Sequence, residues 1–557
     1  MKRFVSMLLT IAMMCSCMAF AEETATGVWG NPVYEGLWFA PIEGDTQVMS
    51  IGKSVRTNVA YLEGDTVRDN YLIRFLEKQL NVDYIYDWEA DEDAYVERVN
   101  LTIAEGDLDS LPDVFTVTAS QLSDLVEAGM VEDLTDAYEA FVSPNLRGAI
   151  DATSGLATMN CTFGGHLYAV PAVNCGENAA SQLFIRDDWV KNLGIAYPTN
   201  INELIEAAKA FKNNDPDGNG EADTVGLMFQ SDIVQIDSAF GSMNVLFHQN
   251  HAFPEYWYTN DEGKVVYGSV QPEVREALEL AANLVKEGVI EKDFATTGWD
   301  QLMSAVKSGK CGMFFAPWWF YGQICDMTVN NNACHWTSVL IKDENGVYNT
   351  SMLNPSDWYV VAKTGTTAKV QEALIKTCNL QWELDQTQGL NLYKPGTGES
   401  NLYNFMAMPL SLNFNRYNDK TLKAVYAREV YNGERDVSTI YGEGLEVYNA
   451  YKAFMDNGAS YEGLESGHIY MMGFFVDGCM KFYDDAANIN WVKPASYTTT
   501  DTMKMKWATL QTLEDTCFTQ IILGEKDITA FDEFVDQWYS LGGTEILAEQ
   551  QALVDAR

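Results

Sequence analysis

The stretch NNDPDGNGEADTVG, residues 213–226, places oxygen-bearing side chains at the spacing of a calcium-binding loop. Counted from Asp215, the residues Asp215, Asp217 and Asn219 occupy positions 1, 3 and 5, Gly220 position 6, Glu221 position 7 and Asp223 position 9. Carboxylate and amide oxygens suit a hard cation, glycine allows the sharp turn, and position 7 offers its backbone carbonyl, so the Glu221 side chain is not required. The bidentate Glu that closes an EF-hand at position 12 is replaced by Gly226, which leaves Thr224, water or a distant segment to supply the remaining oxygen. The competing reading is a solvated Asx-rich turn. A dockerin would carry two such loops and this chain shows one, so the loop reads as a Ca2+ staple and not as an active site.

Aromatic residues beside turns are the second chemical signal. Trp318 and Trp319 follow Pro317 after the apolar run GMFFA, Trp358 follows Asp357 before YVVA, and Trp257 lies in PEYWYTN. Indole rings stack on the C–H faces of sugars while neighbouring Asp, Asn and Glu bond the hydroxyls. Successive side chains of a strand alternate, so two adjacent tryptophans cannot both enter one core from an extended segment. The pair therefore reads as ligand-facing, whereas Trp189, in the amphipathic IRDDWVKNLG, reads as packing. Catalytic signatures are missing: there is no P-loop, no GxGxxG after a strand, no HExxH and no GxSxG. Five histidines leave little for His-based catalysis, and His248 with His251 lacks an acidic partner at helical spacing. Acidic residues number 79, so no carboxylate pair stands out as a glycosidase acid and nucleophile.

These residues need a scaffold, and 557 residues with 47% apolar content can build two or more cores. A net charge of -43 disfavours nucleic acid and anionic polymers and favours neutral or cationic partners. Residues 1–21 read as a signal peptide: Lys2-Arg3, an apolar stretch from Phe4 to Met14, and Ala19-Phe20-Ala21 for cleavage after Ala21. A lipid-anchored Cys17 is the alternative, and either route places the mature chain outside the cytoplasm. Of ten cysteines, Cys15 and Cys17 fall in this segment; the others are free or paired, with Cys325/Cys334 and Cys161/Cys175 near enough in sequence to bridge. Strands are expected at Ser54–Leu62, VDYIYDW, LPDVFTV, SQLFI, KCGMFFA and DWYVVAK. Helices are expected at 68–80, 92–105, in SQLSDLVEAGMV, INELIEAAKAFKNN, VQPEVREALELAANLVKEG and WDQLMSAVKSG, and over most of the C-terminal third. This alternation predicts an α/β open-sheet protein.

The ordered set LTIAEGDLDSLPDVF, VEAGMVEDLTDAYEAFVSPNL, GGHLYAVPA, FIRDDWVKNLGIAYPTNINELIEAAKAFKNNDPDGNGEADTVGL, SGKCGMFFAPWW and LEDTCFTQIILGEKDITAFDEFVDQWYSLGGTEI resembles the carbohydrate-type extracellular solute-binding proteins of ABC importers, the larger Gram-positive lipoprotein group in particular. The resemblance implies a periplasmic-binding-protein type II fold, two α/β lobes joined by crossing hinge strands and closing over a sugar. It implies that 28–171 and 357–470 build lobe 1, and that 172–356 and 471–557 build lobe 2. Trp318 and Trp319 inherit a stacking role, and Asn174 and Glu177 fall where the first crossover meets ligand. Alginate-binding relatives carry the same calcium loop with Glu where this chain has Thr224. The resulting expectation is a monomeric, exported oligosaccharide receptor that serves membrane permease subunits and is not an enzyme. The alternatives are a secreted glycoside hydrolase or lyase, a calcium-dependent adhesin, and the same fold with a peptide cargo.

Overall fold

The computed structural model describes residue 34 and residues 36–555, apart from 57–58, 60, 62, 175–179, 236–239, 331–333 and 388–404. The signal segment 1–21 with Cys17, and the residues Cys175 and Glu177, lie outside the described residues.

Local sequence sets each element before packing joins them. Asn70 caps the helix Tyr71–Leu80, its side chain accepting from the amides of Leu72 and Ile73, and Asn81 closes the helix at φ 57°. Leu72, Ile73, Leu76 and Leu80 form its buried stripe. The following strand, VDYIYDWEAD, buries Val82, Tyr84, Tyr86 and Trp88 in alternation. Its pairing shifts register between Ile51 and Gly52 of the neighbouring strand. That shift seats Trp88 over Gly52, where any Cβ would stand 2.6 Å from the indole.

Ten strands frame the site: β1 (Gln47–Val55), β2 (Val82–Asp91), β3 (Val114–Val117), β4 (Val170–Pro171), β5 (Gln182–Arg186), β6 (Met313–Ala316), β7 (Trp336–Val339), β8 (Tyr348–Ser351), β9 (Tyr359–Ala362) and β10 (Ile489–Val492). Lobe 1 is built on the sheet β2-β1-β3-β9-β4, with β1 parallel to β2 and β3, and β9 antiparallel to β3 and β4. Lobe 2 holds the antiparallel sheet β6-β5-β7 and the parallel pair β8-β10. The expected first strand, Ser54–Leu62, is displaced: β1 lies earlier, and Met49 and Ile51 fill its buried face. The helical C-terminal third expected from sequence includes one long helix, Asp501–Ile522.

Two large cores follow the lobes. One gathers residues between Tyr34 and Val173 and between Val360 and Tyr417; the other gathers residues between Leu183 and Ile341 and between Ala495 and Ile546. The chain crosses between them after β4, between β8 and β9, and again near residue 415. The crossings run side by side, with Ala172 N donating to Trp358 O (2.9 Å), Asn174 N to Pro355 O (2.7 Å) and Asn415 N to Val173 O (2.7 Å).

The helices Asp419–Tyr431, Gly442–Asp456, Ser466–Met471 and Gly478–Asp484 form a further layer with its own small core around Val447, Phe475 and Met480. A polar seam docks this layer on lobe 2. Gln182 Nε2 donates to Gly478 O at 2.6 Å, Ser338 Oγ donates to Asp477 O at 2.7 Å, and the ammonium of half-buried Lys481 donates to Ser338 and to Asp477 O. Glycines permit the close approach: a Cβ at Gly322 would come 2.8 Å from the Phe474 ring, and one at Gly473 2.4 Å from Tyr321. The boundary expected between 470 and 471 therefore falls inside a continuous helical run, and residues 419–484 pack together on lobe 2. Among the described residues no helix is long and apolar enough to cross a membrane, and the described cysteines, Cys161, Cys325 and Cys334 included, are free thiols.

Candidate functional site

The calcium-type loop follows the helix Ile201–Asn213 directly. Asp215 has φ 46°, and Gly218 and Gly220 have φ 70° and 82°, the left-handed turns that wrap the chain. Asp215 accepts from the backbone amides of Asn219 (3.1 Å) and Gly220 (3.0 Å). The Asn219 amide nitrogen reaches Asp217 Oδ2 at 2.9 Å and Asp223 Oδ1 at 3.2 Å. Burial raises the Asp217 carboxyl, and Asp215 and Asp223 add to the rise by like-charge repulsion. Asn219 and Lys310 hold the Asp223 carboxyl below its ordinary value. Glu221 is exposed, and its backbone amide is held by Asn219 Oδ1 at 2.6 Å. Among the described residues no three His, Cys, Asp or Glu side chains stand together as a metal-holding group; the loop carboxylates are linked through Asn219 instead.

Two loop positions have structural duties that spacing does not reveal. Thr224 is buried, and its hydroxyl donates to Phe211 O at 2.8 Å, so it caps the preceding helix. Gly226 passes so close to that helix that a Cβ would sit 2.1 Å from Ala208 O. Val225 pairs with Cys311, which ties the loop to the strand leading to the tryptophan pair.

That pair is placed by β6. Ala316 is in register with Gln182, the first residue of β5, which enters lobe 2 straight from the crossing. Pro317 then starts a single 3₁₀ turn, Trp318–Phe320, at the crossing-facing end of the sheet. Trp318 is 8% exposed and Trp319 half-buried, with the rings perpendicular and 5.7 Å apart. Phe474 lies 5.4 Å from Trp318 and Lys420 Nζ lies 5.8 Å from its ring, both supplied by the helical layer. On lobe 1, half-buried Trp358 meets Tyr95 edge-on at 5.9 Å, and its carbonyl is bonded within the crossing. Asn174 is exposed in the crossing itself.

Trp257 is elsewhere. It is 7% exposed inside the lobe 2 core, 4.7 Å from Tyr267, 5.8 Å from Trp507 and 6.5 Å from Trp538. The aromatic density of PEYWYTN is a packing signal, because Trp257 and Tyr267 pair across a short hairpin. Trp189 is fully buried, edge-on to Phe211 at 5.2 Å. His248 is buried against Phe253, and burial lowers its imidazole to about 3.

Residues near the pair that motif spacing did not single out come from distant sequence. Lys420 and Lys423 donate to Glu443 at 2.7 and 2.6 Å, and Lys423 also donates to Asp419 at 2.6 Å. Facing them, burial pushes the Asp385 carboxyl up to about 7, against the pull of Lys423, and its Oδ2 atom is closed off without a hydrogen-bond partner among the described residues. The run MMGFFVDG, residues 471–478 directly after Tyr470, carries the aromatic residues that meet the pair, and no motif spacing marks it.

Two lobes, a sheet of order β2-β1-β3-β9-β4 and side-by-side crossings define a type II periplasmic-binding fold. Solved structures agree. An HMO-binding, ABC-transporter-associated solute-binding protein from Bifidobacterium longum infantis aligns over 92% of this chain and 99% of its own, with a TM-score of 0.60 and 18% identity. The Streptococcus pneumoniae substrate-binding protein FusA in complex with kestose covers 91% and 99%, with TM-score 0.56 and 14% identity, and the alginate-binding protein AlgQ2 without calcium ion covers 93% and 99%, with TM-score 0.54 and 15% identity. At such identity the likeness is one of fold. The model of the bacterial extracellular solute-binding protein family matches residues 74–374, more than half of the chain, and the protein belongs to that family. In sequence, it is 28% identical over 265 residues to the fructooligosaccharide ABC transporter substrate-binding protein FusA of Streptococcus pneumoniae, covering 44% of this chain and 46% of that one. It is 27% identical over 244 residues to the polygalacturonan/rhamnogalacturonan-binding protein YtcQ of Bacillus subtilis, covering 43% and 45%. The chain thus matches somewhat less than half the length of these curated relatives.

Proposed function

We propose that this protein is the extracellular capture component of an ABC importer, binding an oligosaccharide between its lobes and handing it, unaltered, to membrane permease subunits. One observation carries the reading. The Trp318–Trp319 turn of lobe 2 and Trp358 of lobe 1 stand at the sheet ends that flank the same crossing strands. A ligand touching both lobes favours the closed form by its differential affinity, and hinge residues absorb the change. Trp319, the more exposed of the pair, offers an indole for stacking, and Asn174 offers a polar side chain in the crossing. Glu177 is retained as a further polar contact from the sequence. A net charge of -43 favours a neutral sugar over an acidic one. The protein acts as an exported monomer, either free or anchored at Cys17.

The loop donors fit Ca2+. Asp215, Asp217, Asn219, Asp223 and the Glu221 carbonyl are hard oxygen donors, and the repulsion that raises Asp217 is what a cation relieves. When bound, the ion would supply charge neutralisation and fix the turn between the helix Ile201–Asn213 and β6. It takes no part in sugar contact.

A thermal-shift screen against neutral oligosaccharides, with oligogalacturonides as the acidic arm, tests the proposal. A folded-state ligand raises the melting temperature. A neutral oligosaccharide that raises it, loses its effect with Trp319→Ala and is recovered uncleaved supports the reading. Shortened products point to a hydrolase or lyase.

A further inference from the structure

The aromatic residues at the cleft do not stop at the tryptophan pair. Tyr470 stacks on Phe474 at 4.2 Å with 25° between planes, Phe474 meets Trp318 at 5.4 Å, Trp318 meets Trp319 at 5.7 Å, and Trp319 meets Phe240 at 5.9 Å. The ribbon begins on the helical layer and ends on lobe 2. Its outer member is open: Tyr470 is 38% exposed, and Phe474 and Trp319 are half-buried. Phe474 belongs to a π-helical turn, Met472–Asp477, a rare geometry concentrated at functional sites. The turn is fixed by its packing, since Gly322 and Gly473 admit the facing rings and Gln182 and Ser338 hold the backbone of Gly478 and Asp477.

We propose that Tyr470 and Phe474 form an outer saccharide subsite continuous with Trp318–Trp319, so that the ligand is a linear oligosaccharide running from lobe 2 onto the helical layer. This rests on the oligosaccharide reading above. Tyr470 is reached from Trp319 only by way of Trp318 and Phe474, three ring-to-ring contacts along the ribbon, so a short ligand centred on Trp319 is expected to leave Tyr470 uncovered. An aromatic platform accepts sugar faces of varied identity, so this subsite selects for chain length more than for the monosaccharide. Lys420, its ammonium paired with Glu443, lies 5.3 Å from the Phe475 ring and 5.8 Å from Trp318 beside the same path.

The test uses the full mature chain and length ladders, from disaccharide to hexasaccharide, of linear fructo-, malto- and xylo-oligosaccharides. The ladder that raises the melting temperature is titrated calorimetrically into the wild type, Tyr470→Ala, Tyr470→Phe and Trp319→Ala. Tyr470→Ala is expected to weaken the longer members by about five- to tenfold and leave the disaccharide unchanged. Tyr470→Phe keeps the ring and is expected to keep the gain with length. Trp319→Ala is expected to weaken every length. An equal loss at all lengths, or none, with Tyr470→Ala overturns the outer subsite while the Trp319 result still stands. If Trp319→Ala also leaves every length unchanged, or if no ladder binds, the oligosaccharide reading fails and takes this inference with it.

Discussion

Gly226 stands where an EF-hand carries its closing glutamate, so a spacing argument alone predicts that Gly226→Glu tightens calcium binding. The structure predicts the opposite. A Cβ at residue 226 would lie 2.1 Å from Ala208 O, 2.7 Å from Ala208 C and 2.8 Å from Ala208 Cα. These atoms are the backbone of the helix Ile201–Asn213, which cannot rotate away as a side chain can. Relief requires the loop and helix to part by more than 1 Å, roughly the gap to ordinary contact, and overpacking of this kind costs about 1–3 kcal/mol or more. Ala207, Ala208 and Phe211 of that helix are buried in the lobe 2 core, so the strain propagates inward. Thermal unfolding with and without calcium, for wild type, Gly226→Ala and Gly226→Glu, reads the effect. Both variants are expected to melt several degrees lower, and Gly226→Glu is not expected to bind calcium more tightly. A Gly226→Glu protein with unchanged melting and stronger calcium binding would refute the packing argument.

The remaining predictions are these. Calcium should raise the melting temperature, by about 2.7 kcal/mol of stability at a hundredfold excess over Kd, and Asp215→Asn should abolish the response; a wild-type protein indifferent to chelator returns the loop to an ordinary turn. Glu514 is buried, with both oxygens accepting from Tyr267 and Ser269, and burial with nearby Glu255 raises its carboxyl to about 8 from 4.5. The folded state therefore holds a proton that the unfolded chain releases, and stability falls as pH rises between those values. Unfolding of Glu514→Gln in denaturant should show a flatter pH profile across that window, and an identical slope in variant and wild type contradicts the assignment. Trp257→Ala should cost about 3–5 kcal/mol of stability while the folded fraction keeps its sugar affinity, separating this core residue from Trp319.

Much of the scaffold was legible because it rests on local signals. The apolar stripe of Leu204, Ala207 and Phe211 in INELIEAAKAFKNN and the alternation in VDYIYDW each name their own element. The crossing geometry was not readable residue by residue, and entered through the resemblance of whole ordered motifs. What sequence could not weigh was proximity between distant segments. Thr224 and Gly226 looked like defects in a calcium loop because the helix they press against is not visible in a linear count. Trp257 looked exposed because its partners Trp507 and Trp538 arrive from residues far along the chain. The helical layer was divided at residue 470 because the hydrogen bonds from Gln182 and Ser338 that dock it on lobe 2 leave no mark in composition.

The central claim is reversible capture of an intact saccharide between the lobes. A crystal structure with the tightest-binding oligosaccharide from the screen tests it most directly. The account predicts an uncleaved chain stacked on Trp319, contacting Trp358 or Asn174 across the crossing, with the lobes closed upon it. A saccharide seated on one lobe alone, away from these residues, or present as cleaved fragments, would contradict it.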